Sequence, residues 1–289
     1  MNQFICFDIG GTAIKCALVD ADGTMHQRRT VPTSRQIGTQ ILELSREYLE
    51  NNAAAGIAIS SAGVVDSDNG RILFAGDTLP GYTGTDFKKL LADLPVPVEV
   101  ENDVNCAGLT EYALGSAKGA SSALILTVGT GIGGCFIEEG RLLHGHCGCA
   151  CEVGFVPMEG SIFQDVASAG ALVRNVTAVH GGSWDGRKVF EAAAAGDRVC
   201  QEEIDKTCER LGTGIASLCF ALNPAVVVLG GGIMAQHAVL EDKIRAAFDA
   251  HTFPLLREST EIRYADFGNA AGLQGALVHF LQKHPDLAK

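Results

Sequence analysis

Several things are scarce in this sequence. It has one tryptophan and four tyrosines, and charged residues make up only 19% of it. Positive charge is the scarcest: 22 lysines and arginines face 34 acidic residues, for a formal net charge of −12. No basic stripe is present, which argues against a nucleic-acid partner. A phosphorylated ligand stays open, because backbone N–H groups and Mg2+ hold phosphate without net positive charge. Apolar runs stop short of the roughly 20 residues that a membrane-spanning helix needs. Residues 1–10 lack the basic region and small-residue cleavage site of a signal peptide. The expectation is a cytoplasmic protein with no membrane partner. A hydrophobic content of 47% excludes a disordered chain, and 289 residues suffice for two domains with sizeable cores.

Glycine is abundant instead. There are 35 glycines in 289 residues, about 12% against a usual share of about 7%. No Gly-X-Y period appears, so the chain is not collagen-like. The glycines cluster beside apolar runs, where backbone turns tightly or approaches a ligand closely. The ten cysteines sit mostly among small apolar residues; Cys200, Cys208 and Cys219 share one apolar helical face. They read as reduced core thiols.

Strand and helix patterns alternate. Short apolar runs at 4–7 and 16–19 flank a glycine turn, and Ile41, Leu44, Tyr48 and Leu49 follow helical spacing. Residues 56–59 and 96–100 read as strands, and a helix opens directly afterwards over 103–114. Runs at 124–128 and 135–137 form a second strand–turn–strand unit. Residues 197–222 give the clearest helix, stopped by Asn223-Pro224, before a strand at 225–229 and a closing helix at 271–282. This alternation indicates α/β architecture. The segment 7–16 also resembles 126–135 at an offset of 119 residues. Both place a polar residue, a turn of Gly and Thr and a second apolar strand in the same register. Two related subdomains follow, each beginning with a hairpin.

Gly129-Thr-Gly-Ile-Gly-Gly134 formally fits the dinucleotide fingerprint. That fingerprint needs a helix after the glycines, and Cys135-Phe-Ile reads as a strand. No P-loop motif occurs. One glycine turn is as well explained by a tight hairpin; two matched turns carrying Thr favour a polyphosphate cradle. Asp8, beside the first turn, could hold Mg2+ through water or cap the turn. Asp103 opens a helix, where an Asp is commonly an N-cap. The functional alternative is that Asp103 accepts a proton from a hydroxyl while Asn102 bonds a neighbouring hydroxyl. Cys147-Gly-Cys-Ala-Cys151, with His144 and His146, lacks the second pair a structural zinc site needs. Gly230-Gly231-Gly232 suits either close helix–strand packing or a purine lying on backbone.

Taken together, Asp8-Ile-Gly-Gly-Thr12, Ser60-Ser-Ala-Gly-Val-Val-Asp66, Glu101-Asn-Asp-Val-Asn105 with Glu111, the run 126–134 and Gly230-Gly-Gly-Ile233 resemble the ROK family of bacterial sugar kinases and related repressors. The resemblance spans about residues 4–281. It implies the actin-like (hexokinase/RNase H-like) ATPase fold, with two α/β domains around a cleft. The smaller would be 1–115 closed by the helix at 271–289, and the larger 116–270. It implies ATP and Mg2+ as cofactors, a small-molecule sugar as partner and a homodimeric assembly. Asp8, Gly10, Gly11, Thr12 and Lys15 would form the first phosphate loop, with Asp8 reaching Mg2+ through water. Thr127, Gly129, Thr130, Gly131 and Gly133 would form the second, and Gly231 and Gly232 would line the adenosine. Gly63, Asn102, Glu152, Phe155 and Gln164 would surround the sugar, with Asp103 as catalytic base.

The chain departs from the family pattern in one region. Phe155 stands where the family has a sugar-contacting, zinc-ligating His, residues 160–170 contain no cysteine, and Gln164 stands where a Glu is usual. These changes together imply a member without zinc. Two zinc-less branches are similar. The segments 60–66 and 75–91 resemble N-acetylmannosamine kinases; 152–155 and 184–188 suit β-glucoside kinases and glucokinases. The reading is a kinase for the 6-hydroxyl of N-acetylmannosamine, with β-glucoside kinase or glucokinase as alternative. A family transcriptional regulator is disfavoured, because the first strand starts at Phe4 without a preceding helix-turn-helix.

Overall fold

The structure is a computed structural model that describes residues 1–76 and 79–288; Asp77 and Thr78, inside the 75–91 segment, lie outside the described residues. The chain forms two compact units. The first contains Met1–Ala113, His144–Ala150 and Asn269–Lys289, and the second contains Leu114–Leu143 and Cys151–Gly268.

The first unit is built on five strands: β1 (Gln3–Ile9), β2 (Ala13–Asp20), β3 (Met25–Pro32), β4 (Ala54–Ser61) and β5 (Val98–Asn102). Their order in the sheet is β3-β2-β1-β4-β5. The hairpin partners of β1 and β2 run antiparallel, whereas β1–β4 and β4–β5 are parallel. β1 is buried on both faces, which is why it reads as an unbroken apolar run rather than an alternation. Its period of two sends Ile5, Phe7 and Ile9 toward Ile41 and Tyr48 of the helix Ile37–Asn51. Phe4 and Cys6 point the other way, toward Leu273, Leu277 and Phe280 of the C-terminal helix Ala271–Lys283. The rings of Phe4 and Phe280 lie 5.2 Å apart between centroids. Burying each of these side chains stabilises the fold by about 1.5–3 kcal/mol.

The second unit repeats the plan. Its strands are β6 (Ser122–Val128), β7 (Ile132–Glu138), β8 (Arg141–Leu142), β9 (Val226–Gly230) and β10 (Glu261–Tyr264), in the order β8-β7-β6-β9-β10. Again two antiparallel pairings sit on one side of the first strand and two parallel ones on the other. The 119-residue internal similarity thus corresponds to one topology used twice. The helix Arg198–Leu222 buries Cys200, Ile204, Cys208, Leu211, Ile215 and Cys219. Asp197 caps it by accepting the Cys200 N–H, and Asn223 ends it in the left-handed conformation, with φ 48°. All ten cysteines are free, and the three on this helix are buried thiols. Among the described residues, no helix is long and apolar enough to cross a membrane.

Candidate active site

In the first unit, the β1–β2 hairpin brings Asp8 and Lys15 opposite each other. The Lys15 Nζ donates to Asp8 Oδ2 at 2.9 Å, and Ser60 Oγ, from the neighbouring β4, donates to Asp8 Oδ1 at 3.1 Å. The turn between the strands is closed by Gly10 N–H donating to Ala13 O at 3.1 Å. Thr33 secures it from outside: its hydroxyl donates to Gly10 O at 2.7 Å and its N–H to Thr12 O at 3.1 Å. Gly11 and Thr12 at the tip are exposed. A carboxylate that is only 16% exposed and already shares a cation suits an outer-sphere contact to hydrated Mg2+ better than direct ligation.

β5 ends at Asn102, and the helix Asp103–Ala113 begins at the next residue. Sequence spacing left Asp103 as either cap or base, and the capping falls mainly to its neighbour. Asn102 Oδ1 accepts the N–H groups of Val104 and Asn105 at 2.9 and 3.0 Å. The amide of Asn102 donates to Gly63 O at 2.9 Å and to Asp103 Oδ1 at 3.0 Å, and Val104 N–H reaches the same oxygen at 3.0 Å. Both amide hydrogens of Asn102 are therefore used on Gly63 and Asp103. Gly63 has φ +96°, and a Cβ there would stand 2.5 Å from Phe74 O, so only glycine fits.

Behind these residues lies Glu101, fully buried. Its Oε1 accepts Asn102 N–H at 2.7 Å and Asn105 Nδ2 at 2.9 Å, while His144 Nε2 lies 2.7 Å from Oε2. Burial pushes the Glu101 carboxyl up, but the bonds from His144 and Asn105 and the His144 charge outweigh it and hold the group below the usual range. His144 is pushed up, first by its bond to Glu101. Burial pushes His279 down.

In the second unit, the β6–β7 hairpin pairs Thr127 with Gly133 and Val128 with Ile132. Gly129 N–H donates to Gly131 O at 2.9 Å and closes the turn. Ser168 Oγ donates to Thr130 O at 3.0 Å and Gly170 N–H to Gly129 O at 3.2 Å. Gln164 lies against this turn: a Cβ on Gly131 would meet Gln164 Oε1 at 2.6 Å. Gly231, with φ +93°, comes so close to the end of β6 that a Cβ would stand 2.6 Å from Val128 N. Gly232 opens the short 3-10 helix Gly232–Gln236 and has open space beside it. Glu152 and Phe155 bracket the 3-10 turn Val153–Phe155; burial pushes the Glu152 carboxyl up, and Phe155 is 59% exposed.

Cys147 and Cys149 are exposed and Cys151 is half-buried. Among the described residues, three potential metal-ligand atoms come within 4.8 Å of one another at His180, Asp197 and Cys200. That trio is accounted for by helix capping. Asp197 is the N-cap, His180 pairs with it at 3.1 Å, and burial pushes the Cys200 thiol up to about 11. Thr33, Ser60, Glu101, His144, Ser168 and Gly170 carry no role in the sequence reading. Ser60 and Glu101 entered it only within the motifs that carry the family resemblance, and His144 only beside the cysteine cluster.

A family model described as "ROK family" matches residues 4–283. A β-glucoside kinase of Listeria monocytogenes is 31% identical, covering 97% of this chain and 98% of the relative. A solved Listeria monocytogenes structure, provisionally named an N-acetylmannosamine kinase, superposes with a TM-score of 0.87 at 30% identity, covering 98% of this chain and 99% of that one. A Streptomyces griseus ROK glucokinase solved with glucose and AMPPNP gives a TM-score of 0.79 at 28% identity, with 96% and 98% coverage.

Proposed function

The chain belongs to the ROK family, has the actin-like ATPase fold and is a sugar kinase, and we propose that it transfers the γ-phosphoryl group of ATP to the 6-hydroxyl of N-acetylmannosamine. The observation that carries the mechanism is the way Asp103 is held. Its carboxylate stands at a helix N-terminus, where backbone N–H dipoles favour negative charge, and is oriented by Asn102.

In this reading Asp103 accepts the proton of the 6-hydroxyl. The sugar oxygen bonds to the γ-phosphorus, the bond to the β–γ bridging oxygen breaks, and ADP leaves with that electron pair. The turns at 10–12 and 129–133 offer N–H donors to the phosphates. Lys15 and the hydroxyls of Thr12, Thr127 and Thr130 add to them. Gly231 and Gly232 present backbone to the adenosine. Asp8 would hold Mg2+ through water, and the ion, when bound, screens the phosphate charge. Gly63 and Asn102 of the first unit, and Glu152, Phe155 and Gln164 of the second, would be the sugar contacts. Positioning and electrostatics supply most of the rate in such a transfer. A cytoplasmic homodimer without zinc belongs to the same reading.

The choice of sugar rests on the segments 60–66 and 75–91, and Phe155 is compatible with it. An exposed phenyl ring one turn from a carboxyl whose charge burial disfavours suits an acetyl methyl group and a hydroxyl of one sugar. The same ring could stack on the second sugar of a β-glucoside, which is the alternative that the Listeria β-glucoside kinase supports. A coupled ADP-release assay over N-acetylmannosamine, N-acetylglucosamine, glucose, allose and cellobiose separates them. The highest kcat/KM is expected for N-acetylmannosamine. Cellobiose in first place would replace that substrate with a β-glucoside, and turnover of none would sink the kinase reading.

A further inference from the structure

An ionised carboxylate taken wholly out of water costs several kcal/mol unless it is paired and fully hydrogen-bonded. Glu101 is such a group, with no exposed surface. Its four contacts divide by oxygen. Oε1 holds the backbone N–H of Asn102 and the side chain of Asn105, both next to the start of the helix Asp103–Ala113. Oε2 faces two imidazoles, His144 at 2.7 Å and His279 at 3.7 Å. His279 is buried and disfavoured as a cation, so the compensating charge falls to His144.

We propose that Glu101 is a positioning residue for phosphoryl transfer, fixing Asn102 and through it Asp103, and that the His144 imidazolium is the counter-charge that keeps Glu101 ionised. This rests on the reading of Asp103 as the base. The path is short and continuous. Glu101 grips the Asn102 backbone, and the Asn102 amide grips Asp103 Oδ1 and Gly63 O. A neutral side chain at 101 would loosen Asn102 from behind without touching a substrate.

His144 belongs to the segment His144–Ala150, is 35% exposed, and lines a polar cavity of about 240 Å3 together with Asp66, Asp68, His146 and Cys147. It therefore exchanges protons with solvent while Glu101 does not. The other charged or titratable groups facing the pair are Asp68, Lys283 and His279, with the buried thiol of Cys106 beside Glu101 and Glu99 one pleat away on β5. Lys283 is held by Asp68 at 2.7 Å. The pair makes a pH-sensitive support: when His144 loses its proton as pH rises through its raised pKa, Glu101 loses its counter-charge.

The test uses the full chain carrying Glu101→Gln or His144→Gln, with wild type and Asp103→Asn alongside. Steady-state kinetics are measured from pH 5.5 to 9, together with thermal unfolding. Gln at either position keeps a hydrogen-bonding group, as an amide, while removing the charge. Loss of an outer support of this kind typically costs about 10–100-fold. Glu101→Gln is expected to lose that much in kcat with KM for ATP within about twofold. Wild type is expected to decline in kcat at alkaline pH, and His144→Gln is expected to lose that decline, running flat at a lower kcat. Wild-type kcat and a wild-type alkaline limb in both variants would overturn the proposal, as would losses matching only the unfolded fraction. His144 is partly exposed, so its variant carries the test if Glu101→Gln does not fold. An active Asp103→Asn enzyme would sink the base assignment; an active Glu101→Gln beside an inactive Asp103→Asn would sink the positioning role alone.

Discussion

Lys15 and Asp8 face each other across the first hairpin, with Nζ and Oδ2 2.9 Å apart. The pair is partly solvated, 35% and 16% exposed, so its own contribution to stability is small, below about 1 kcal/mol. The arrangement matters for what it presents: a carboxylate and an ammonium at the root of a glycine turn. Asp8→Asn is expected to raise the Mg2+ concentration for half-maximal rate by about tenfold, the lower end of what loss of an outer-shell partner costs. The unfolding midpoint should change little. Titration of activity with Mg2+ at fixed ATP checks it, and an unchanged Mg2+ requirement would remove Asp8 from the metal's surroundings.

Gly231 and Gly232 are adjacent, yet their environments differ. Gly231 has φ +93° and no room for a Cβ beside Val128, whereas Gly232 has nothing within 4 Å. Gly231→Ala should destabilise the protein by about 1–3 kcal/mol. Gly232→Ala should leave stability within about 0.5 kcal/mol of wild type. If backbone there lies against adenosine, the new methyl of Gly232→Ala raises KM for ATP severalfold without altering KM for sugar. Urea unfolding and ATP saturation curves on the two variants test both halves.

How much of this was legible in the sequence depends on the distance over which each contact is made. The two hairpins were readable because the turn residues and both strands are contiguous in sequence, over residues 3–20 and 122–138, and their recurrence carried the doubled sheet topology. Ser60 was not readable as the partner of Asp8, since only the parallel register of β1 and β4 joins positions 52 apart. The alternation Val98-Glu-Val-Glu101 suggests a strand with one wet face. Both glutamates are instead buried, because His144, 43 positions on, and His284, 185 positions on, cover that face. Spacing alone leaves Asp103 open between cap and base; in the structure Asn102 takes two of the capping bonds and Asp103 shares the Val104 N–H.

Glu152 gives a pH-dependent expectation. Burial raises its pKa above the ordinary carboxylate value. A raised folded-state pKa means that the group's contribution is favourable at low pH and is lost as pH rises through that value. Glu152→Gln should therefore match wild type in Tm at pH 4 and exceed it increasingly toward pH 7. The same substitution should raise KM for the sugar, since an amide accepts hydroxyl hydrogens less well than a carboxylate. Differential scanning calorimetry across that pH range is the check. A Tm difference that stays constant with pH would mean Glu152 does not titrate between folded and unfolded states.

Phe155 separates structural from specificity roles most cleanly. It is 59% exposed, so truncation forfeits little packing, and Phe155→Ala should change stability by no more than about 0.5 kcal/mol. If its ring holds an acetyl methyl, the truncation removes roughly one apolar contact. Such contacts in a pocket discriminate by about 1–3 kcal/mol, or roughly 10–200-fold. The expected signature is a drop of at least tenfold in kcat/KM for N-acetylmannosamine with that for glucose nearly unchanged, because glucose offers no methyl to the ring. A drop confined to cellobiose would transfer the ring to the second sugar of a β-glucoside. An equal drop for every sugar would mean that Phe155 supports the loop around Glu152 and reads no substituent.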